Sequence, residues 1–345
     1  MPLFKRKKKE SKKDIKAKKL ETPVFCAMIT EGIYPCYFCG EIIMLKKMEP
    51  LSFCPCPHCN AANFIPKKIG DYFLYRPLGG GGMGSVYKAL SLKKPNGVFA
   101  IKILARDLRD NKHLIDKVLE EAKIVRNIKG HLNCVKYVGH GFYKDEFFFA
   151  MEYIPGKRLD RILSNEGSLS ELVSLRLIIQ LTSADAHIYD CGYLYRDIKP
   201  ENIIITPEDR TMIFDFGLAI PRDEAKNNPS EIVEGSPHYI PPERLVGLGE
   251  TPASEIYSLG MLFYQIISGK TFFINKNKNE LAETHVTDLR KETVEQKLPG
   301  INEHIARIID AMIVKKPTER IQSFSKLLVE LKKVYTEVTG RKYID

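Results

Sequence analysis

The spacing of apolar residues changes along the chain, and each spacing predicts one type of element. In "DYFLYRPLGGGGMGSVYKAL" (71–90), the residues after the glycines alternate between apolar and polar, which predicts a strand, a glycine-rich turn and a second strand. A further strand is predicted for "GVFAIKIL" (97–104), which is rich in residues that favour strands. Helical spacing follows in 111–128, where the apolar positions are Leu114, Val118, Ala122 and Val125. The pattern thus predicts a β-rich segment followed by an amphipathic helix.

The length of the chain, 345 residues, is more than one hydrophobic core usually organises, so two or more folded units are expected. The apolar run "FFFAMEYI" (147–154) is far shorter than the roughly 20 residues that a membrane helix needs. The N-terminus lacks the apolar stretch of a signal peptide, and Pro2 stands where N-myristoylation needs glycine. We therefore expect a cytoplasmic protein without a transmembrane segment.

Most of the net charge of +10 lies in the first twenty residues, which hold ten Lys or Arg against Glu10 and Asp14, a net of +8. A run of like charges with few apolar residues cannot bury enough surface to offset its ordering entropy, so a disordered basic tail is predicted for 1–22. Such a tail either keeps the protein soluble or contacts nucleic acid, acidic protein or anionic membrane lipid.

Six of the eight cysteines lie between residues 26 and 59, and four of them form two C-x-x-C pairs separated by sixteen residues. This spacing predicts a closed, structural Zn²⁺ site in a zinc-ribbon-like module over 23–66. We expect one short hairpin between the pairs, a turn at Gly40, and a surface on which a protein partner could bind. The expected ligands are Cys36, Cys39, Cys56 and Cys59.

Other interpretations of the cysteine cluster stay open. Cys54 is the first substitute for one of the four ligands, whereas the spacing of His58 to its neighbours is unusual for a metal-binding turn. A rubredoxin-type iron site has the same donor set, and thiol–disulfide chemistry is disfavoured because no strand and helix flank the pairs as in a redox C-x-x-C motif.

The glycines of the predicted hairpin fit the pattern G-x-G-x-x-G-x-V, with Gly79, Gly81, Gly84 and Val86. A dinucleotide-binding turn with similar glycines opens a helix, whereas a strand follows here, which favours a hairpin that covers the phosphates of ATP. Lys102 in the next strand can pair with Glu121 of the predicted helix, with Glu120 as the competitor.

Four further motifs follow in a fixed order: "YLYRDIKPENIII" (193–205), "FDFGLA" (214–219), "EGSPHYIPPERL" (234–245) and "SEIYSLGMLFYQIISGK" (254–270). With the preceding motifs they resemble the eukaryotic-like (Hanks-type) serine/threonine protein kinases of bacteria, over residues 71–338. The resemblance implies an α+β, bilobal protein-kinase fold with ATP bound between its lobes. The β-rich N-lobe (71–153) would hold five strands and one helix, and the C-lobe (156–338) would be α-helical.

The resemblance also implies roles for individual residues in the transfer of phosphate from ATP to Ser/Thr hydroxyls of protein substrates, including the protein itself. Asp197 would be the catalytic base, and Lys199 would reach the γ-phosphate. Lys102, held by Glu121, would bind the α- and β-phosphates. The remaining cofactor contacts would be Asn202 and Asp215 to Mg²⁺ or Mn²⁺, Glu152 and Tyr153 to adenine, and Met151 as gatekeeper.

Several positions depart from the commonest family pattern. Tyr195 replaces the histidine before the Arg-Asp pair, where an aromatic ring is expected to serve in packing. Pro241 replaces alanine and leaves Glu243 for a buried ion pair with Arg320. Glu255 replaces an aspartate that anchors the catalytic loop, and its extra methylene is expected to loosen that anchor.

Regulation and the competing functions depend on the activation loop and the N-terminal segments. Arg196 would clamp a phosphorylated loop, yet Ser230 is the only hydroxyl residue between Leu218 and Glu234. Phosphorylation of Ser230 therefore competes with constitutive ordering of the loop and with control by the zinc module. Ser236 would bridge Asp197 and Lys199. The alternatives to an active kinase are a pseudokinase scaffold and a nucleic-acid-associated regulator built on the basic tail and the zinc ribbon.

Overall fold

A computed structural model of the protein describes residues 22–81, 84–95, 97–104, 111–144, 146–227, 234–274, 277–287 and 292–344. The chain forms two compact units. The first contains the described residues up to Lys123 together with Lys136–Ile154, and the second contains Ile124–Val135 together with the described residues from Pro155 onward. The basic tail predicted for 1–22 lies outside the described residues except for Thr22.

The first unit is built mainly of β-strands. Its elements in chain order are α1 Thr22–Glu31, β1 Ile33–Pro35, β2 Ile42–Met44, β3 Phe53–Pro55, β4 Ala62–Phe64, β5 Lys67–Ile69, β6 Tyr72–Gly81, β7 Gly84–Ser91, β8 Val98–Leu104, α2 Lys112–Asn127, β9 Tyr137–Tyr143 and β10 Glu146–Glu152. Strands β6, β7 and β8 and helix α2 confirm the elements that the apolar spacing predicts.

The cysteine module contains two hairpins, so the expectation of one hairpin between the cysteine pairs is wrong. Strands β1 and β2 pair in an antiparallel fashion, as do β3 and β4, and each C-x-x-C pair lies in the turn of one hairpin. The two turns are closed by equivalent backbone bonds: the Gly40 amide donates to the carbonyl of Cys36 (2.9 Å), and the Asn60 amide donates to that of Cys56 (2.9 Å). Gly40 has the positive φ (81°) that the sequence predicts.

A six-stranded antiparallel sheet in the order β5-β6-β7-β8-β10-β9 forms the body of the first unit. Five of its strands lie within 71–153, as the resemblance implies for the N-lobe, and the sixth is β5, which precedes them and pairs with the start of β6. This short strand is held because Ile69 is fully buried in the sheet's core and Lys67 forms an ion pair with Glu146. The segment between the cysteine module and the glycine hairpin is thus part of the sheet.

The cysteine module packs on this sheet. The ring of Phe25 in α1 makes edge contacts with Tyr34 of β1 (5.9 Å) and Tyr75 of β6 (5.7 Å). Cys26 shares a buried cluster with Phe73, and the ring centroid of Phe64 lies 5.9 Å from that of Tyr87 in β7. The module and the sheet therefore share apolar cores.

The second unit is mainly helical. Its elements in chain order are β11 Lys157–Arg158, α3 Leu159–Glu166, α4 Glu171–Asp190, β12 Tyr193–Leu194, β13 Ile203–Ile205, β14 Thr211–Ile213, β15 Ile220–Pro221, α5 Arg222–Asn227, α6 Pro242–Leu245, α7 Pro252–Ser268, α8 Lys278–Thr287, α9 Val294–Lys297, α10 Glu303–Met312 and α11 Phe324–Thr339. Short 3₁₀ turns occupy Pro200–Asn202 and Pro317–Glu319.

Helix α7 forms the centre of the second unit, because nearly all of its residues are buried and α4, α10 and α11 pack against it. Thr251 and Ser254 form a capping box at its N-terminus, and Gly269 ends it in the left-handed conformation (φ 73°). Within the part of the chain that is described, no helix has the length and apolar character needed to cross a membrane.

Candidate active site

The glycine-rich hairpin is formed by β6 and β7, with Gly79 and Gly81 on the first strand and Gly84 and Val86 on the second. A methyl group on Gly84 would lie 2.2 Å from the carbonyl oxygen of Ile103, so glycine is required there by the close approach of β8. At Gly79 the same construction meets no atom of the described residues within 4 Å. Packing thus requires glycine at position 84, whereas position 79 has space for a side chain.

Lys102 lies directly opposite Val86 in the ladder between β7 and β8. Its Nζ atom is 2.6 Å from Oε2 of Glu121, and the two side chains are only 12% and 4% exposed. Glu120 instead pairs with Lys123 at the surface. The predicted ion pair and the preference for Glu121 over Glu120 are confirmed, and burial makes this pair far less screened than the exposed one.

The segment predicted to contact adenine follows β10. Met151 is buried, and the amides of Glu152 and Tyr153 donate to the carbonyls of Lys136 (3.0 Å) and Val98 (3.1 Å). Both amides are thus hydrogen-bonded within the first unit. Contact with adenine through Glu152 or Tyr153 would have to use their carbonyl oxygens.

Asp197 lies in the loop between β12 and the 3₁₀ turn Pro200–Asn202, and its carboxylate is held by two donors. Oδ2 accepts from Nζ of Lys199 (2.7 Å) and from Nδ2 of Asn202 (2.7 Å). Oδ1 is buried and has no hydrogen-bond partner among the residues that are described. The carboxylate is therefore fixed in orientation, and its Oδ1 atom is able to accept a further hydrogen bond.

Asp215 follows β14 and has a left-handed backbone, with φ of 63°. The amide of the preceding Phe214 donates to the carbonyl of Asn202 (3.2 Å), which joins the two segments predicted to bind metal. The hydroxyl of the buried Tyr195 donates to the carbonyl of Phe214 (2.7 Å), and its ring contacts Phe216 (5.0 Å). The predicted packing role of Tyr195 is confirmed.

Burial raises the pKa of Tyr195 well above its ordinary value, and the carboxylates of Asp197 and Asp215 raise it further. The hydroxyl therefore stays protonated and remains a donor to Phe214. This bond fixes the backbone that leads into Asp215.

Glu243 and Arg320 form the predicted buried ion pair, with Nη1 of Arg320 2.8 Å from Oε1 of Glu243. Glu255 reaches the catalytic loop in spite of its extra methylene, because its Oε1 accepts the amide of Arg196 at 3.0 Å. Burial raises the pKa of Glu255 to about 7, against the lowering effect of Arg244. The looser anchoring of the catalytic loop expected from the extra methylene would lower catalytic efficiency, and this stays a prediction.

Two charged residues of this region were missed by the sequence analysis. Arg244 and Glu250 are both buried, and Glu250 contacts Arg244 and also Arg196, the residue before Asp197. Arg244 stands in the motif 234–245 but has no assigned role there, Glu250 lies between two motifs, and the partners of both become visible only when the chain is folded. Ser230 lies outside the described residues, and the bridging role of Ser236 stays a prediction.

The four predicted cysteines converge on one point. Their sulfur atoms all lie within 4.8 Å of one another, with Cys36 and Cys59 3.6 Å apart and Cys39 and Cys56 3.7 Å apart. Four thiolates around a tetrahedral Zn²⁺ at about 2.3 Å would be separated by about 3.8 Å, so the donor set fits. Cys54 is outside this group.

Hydrogen bonds around Cys36 also suit a metal-bound thiolate. The amide of Phe38 and Nδ2 of Asn63 both donate to its sulfur, each at 3.4 Å. Burial raises the pKa of Cys36, but the amides of Cys39 and Phe38 and the side chain of Asn63 outweigh burial and lower it to about 6. Oriented donors of this kind are typical of the surroundings of metal ligands.

Comparisons with known proteins identify the family to which the chain belongs. A family model for the protein kinase domain matches residues 72–331. Serine/threonine-protein kinase PrkC of Bacillus subtilis is 30% identical over 274 residues, which cover 79% of this chain and 42% of PrkC. Serine/threonine-protein kinase PknA of Mycobacterium tuberculosis is 31% identical over 259 residues, which cover 74% of this chain and 59% of PknA.

A third relative, serine/threonine-protein kinase pkn3 of Myxococcus xanthus, is 30% identical over 287 residues, with 79% of this chain and 52% of pkn3 covered. The chain thus spans about two-fifths to three-fifths of the length of these relatives. The family model covers well over half of the chain. The chain belongs to the eukaryotic-like (Hanks-type) family of serine/threonine protein kinases.

Proposed function

We propose that this protein transfers the γ-phosphate of ATP to Ser/Thr hydroxyls of protein substrates, itself included. The observation that carries the proposal is the carboxylate of Asp197. Lys199 and Asn202 hold Oδ2, while Oδ1 is buried without a hydrogen-bond partner among the described residues. An incoming hydroxyl would donate to Oδ1 and be oriented for attack, which is the role that a carboxylate plays in this chemistry.

The residues around Asp197 suit the positioning and charge neutralisation that phosphoryl transfer needs. The amide nitrogen of Asn202 is committed to Asp197, so its oxygen is the atom able to bind a cation, together with the carboxylate of Asp215. Mg²⁺ or Mn²⁺ bound there would neutralise charge on the phosphates. Lys199 would contact the γ-phosphate, and Lys102, held by Glu121, the α- and β-phosphates.

Incorporation of labelled phosphate from ATP with Mg²⁺ tests this function. We expect Asp197→Asn to lower the rate by at least about 10²-fold, because an amide cannot accept the proton of the hydroxyl. The exposed Asp223 on α5 offers a matched control, and Asp223→Asn should keep the wild-type rate. Equal incorporation by wild type and Asp197→Asn would refute the proposed function.

We also propose that the four-cysteine site holds a structural Zn²⁺. The support is the convergence of four sulfur atoms, so that all four cysteines can bind one ion. They are Cys36, Cys39, Cys56 and Cys59. Elemental analysis of purified variants tests it: Cys56→Ser should lose the metal, and Cys54→Ser should keep one equivalent. Iron in place of zinc, or loss of metal in Cys54→Ser alone, would contradict this assignment.

A cytoplasmic location is proposed as well, because a site made of four thiolates persists where thiols stay reduced. All cysteines of the chain are free thiols in the structure. Fractionation of cells that produce the protein would test the location, and recovery in an oxidising compartment would contradict it.

A further inference from the structure

Arg196, the residue before Asp197, has a left-handed backbone with φ of 68°. A non-glycine residue held there is strained and persists only where its surroundings fix it. Its amide donates to Oε1 of Glu255 (3.0 Å), and its carbonyl accepts from Nη1 of Arg244 (2.9 Å). The peptide groups on both sides of this residue are thus held by side chains from one segment, 244–255.

The side chain of Arg196 is held by the same segment. Its Nη2 atom lies 2.9 Å from Oε1 of Glu250, and the two side chains are 8% and 4% exposed. The other oxygen of Glu250, Oε2, accepts from Nε of Arg244 (2.7 Å). Glu250 therefore bridges the guanidinium of Arg196 and the guanidinium that holds the carbonyl of Arg196.

Glu250 is itself fixed in place. Its backbone amide donates to the carbonyl of Ala225 in α5 (2.9 Å), and the capping box of α7 begins at the next residue, Thr251. Each guanidinium of this cluster has a carboxyl neighbour within the fold: Arg196 contacts Glu250, and Arg244 contacts Glu250 and Glu255.

In the related kinases, an arginine at the position of Arg196 would be the one to clamp a phosphorylated activation loop. A phosphate brings about −1.5 to −2 charges and several acceptor oxygens to such an arginine. In this chain the carboxylate of Glu250 already pairs with that arginine.

We propose that Glu250 is a positioning residue that acts through Arg196 on the catalytic loop and replaces an activation-loop phosphate. The proposal rests on the proposed kinase function. It implies that the kinase is active without phosphorylation of its loop, including at Ser230, and that removal of the Glu250 charge disorders the backbone that carries Asp197.

A double-mutant cycle of Glu250→Gln and Arg196→Met separates this role from a general structural one. Each single variant should lower kcat by about 10- to 100-fold, because the base is displaced, while KM for ATP stays within about twofold. The double variant should lose no more than about twofold beyond Glu250→Gln alone, since that substitution already removes the contact that Arg196→Met removes. Losses that multiply, or an unchanged kcat in Glu250→Gln, would overturn the proposal.

Stability is the main confounding effect, because Glu250 also holds Arg244. Glu250→Asp keeps the charge on a shorter side chain, and we expect it to retain a larger kcat than Glu250→Gln even where its melting temperature is equally lowered. If kcat followed only the melting temperature across both variants, Glu250 would have a structural role alone and the proposal would fail.

Phosphorylation is tested on the wild-type protein treated with phosphatase and on Ser230→Ala. Both should keep the activity of the untreated protein, and a loss in either overturns the proposal. Failure of the kinase function itself is recognised separately, because wild type would then equal Asp197→Asn. Hydrogen exchange gives a readout that needs no activity: amides of 193–202 should exchange faster in Glu250→Gln, and unchanged exchange would refute the positioning role.

Discussion

At the scale of single residues, the neighbouring residues Glu120 and Glu121 of helix α2 differ in the direction of their side chains. Glu121 lies 2.6 Å from Lys102 with 4% of its side chain exposed, whereas Glu120 pairs with Lys123 and is 48% exposed. A buried charge that loses its partner is costly, while exposed ion pairs contribute little. The two glutamates are therefore a matched pair for testing the function of the buried one.

We expect Glu121→Gln to lower kcat/KM for ATP by about 10²-fold, since Lys102 would no longer be held at the phosphates. Glu120→Gln should remain within about twofold of the wild type, because its pair with Lys123 is exposed. Steady-state kinetics with varied ATP measure both. Equal effects of the two substitutions would show that the buried ion pair has no part in catalysis.

Glu255 is the residue whose ionisation should be visible in stability. Its pKa is raised from 4.5 to about 7, chiefly by burial and also by the nearby Glu250, against the lowering effects of Arg244 and of the amide and charge of Arg196. The pKa of Asp185, fully buried on α4, is also raised, by burial first and by Glu255 second. Between about pH 4.5 and 7, the carboxyl group of Glu255 thus binds more protons in the folded protein than in the unfolded chain.

Because the folded pKa of Glu255 is raised, its contribution is fully present below pH 4.5 and is lost as the pH rises through about 7, a change of roughly 3 kcal/mol at most. Relative to the wild type, Glu255→Gln should therefore become more stable as the pH rises from 5 to 7.5, and the difference should level off above that. Melting temperatures across this range measure it, with the exposed Glu208→Gln as control. Parallel curves for wild type and Glu255→Gln would contradict the raised pKa.

The sequence was sufficient for residues that stand in motifs and insufficient for those that meet across the fold. Lys102 and Glu121 could be paired because the segments that carry them resemble those of a known family. Arg244 contacts the carbonyl of Arg196 across 48 positions in the chain, and no local pattern indicates that it and Glu250 meet there. Charged residues are ordinarily assigned to the surface, which is why these two were missed.

At the scale of elements, long periodic segments were predictable and three-residue strands were not. Strand β8 and helix α2 show a clear period, whereas β5 and the strands of the cysteine module are too short to show one. Strand β5 is stabilised by its pairing with β6 and by the burial of Ile69, which are tertiary effects. The two cysteine hairpins likewise depend on convergence at one site and not on local propensity.

The glycine hairpin allows a direct test of this distinction. Gly84→Ala should lower the melting temperature by several degrees, because the added methyl group would lie 2.2 Å from the carbonyl oxygen of Ile103. Gly79→Ala should leave the melting temperature unchanged, since open space surrounds that position, and should affect only KM for ATP. Thermal melts without nucleotide measure the first effect. A larger loss of stability in Gly79→Ala than in Gly84→Ala would contradict the packing argument.

At the scale of the whole molecule, the cysteine module and the sheet that carries Lys102 belong to one unit. Cys26 and Tyr34 of the module share a buried cluster with Phe73 of β6, and Leu51 packs on the core of the sheet. A segment as small as this module has little core of its own. We therefore expect the module to be ordered only when the proposed Zn²⁺ is bound, and the sheet to lose stability when the module becomes disordered.

Removal of the metal with a chelator tests this dependence by hydrogen exchange. Metal binding to four thiolates supplies on the order of 10 kcal/mol of folding free energy, so we expect faster exchange in α1 and in strands β5 to β7 of the metal-free protein. Helix α7, at the centre of the second unit, should keep its protection because its core contains none of the module's residues. Cys56→Ser should show the fast exchange without chelator, and Cys54→Ser should behave as the wild type. Loss of the metal with unchanged exchange in β5 to β7 would mean that the sheet is stable without the module, and the module would then act only through its own surface.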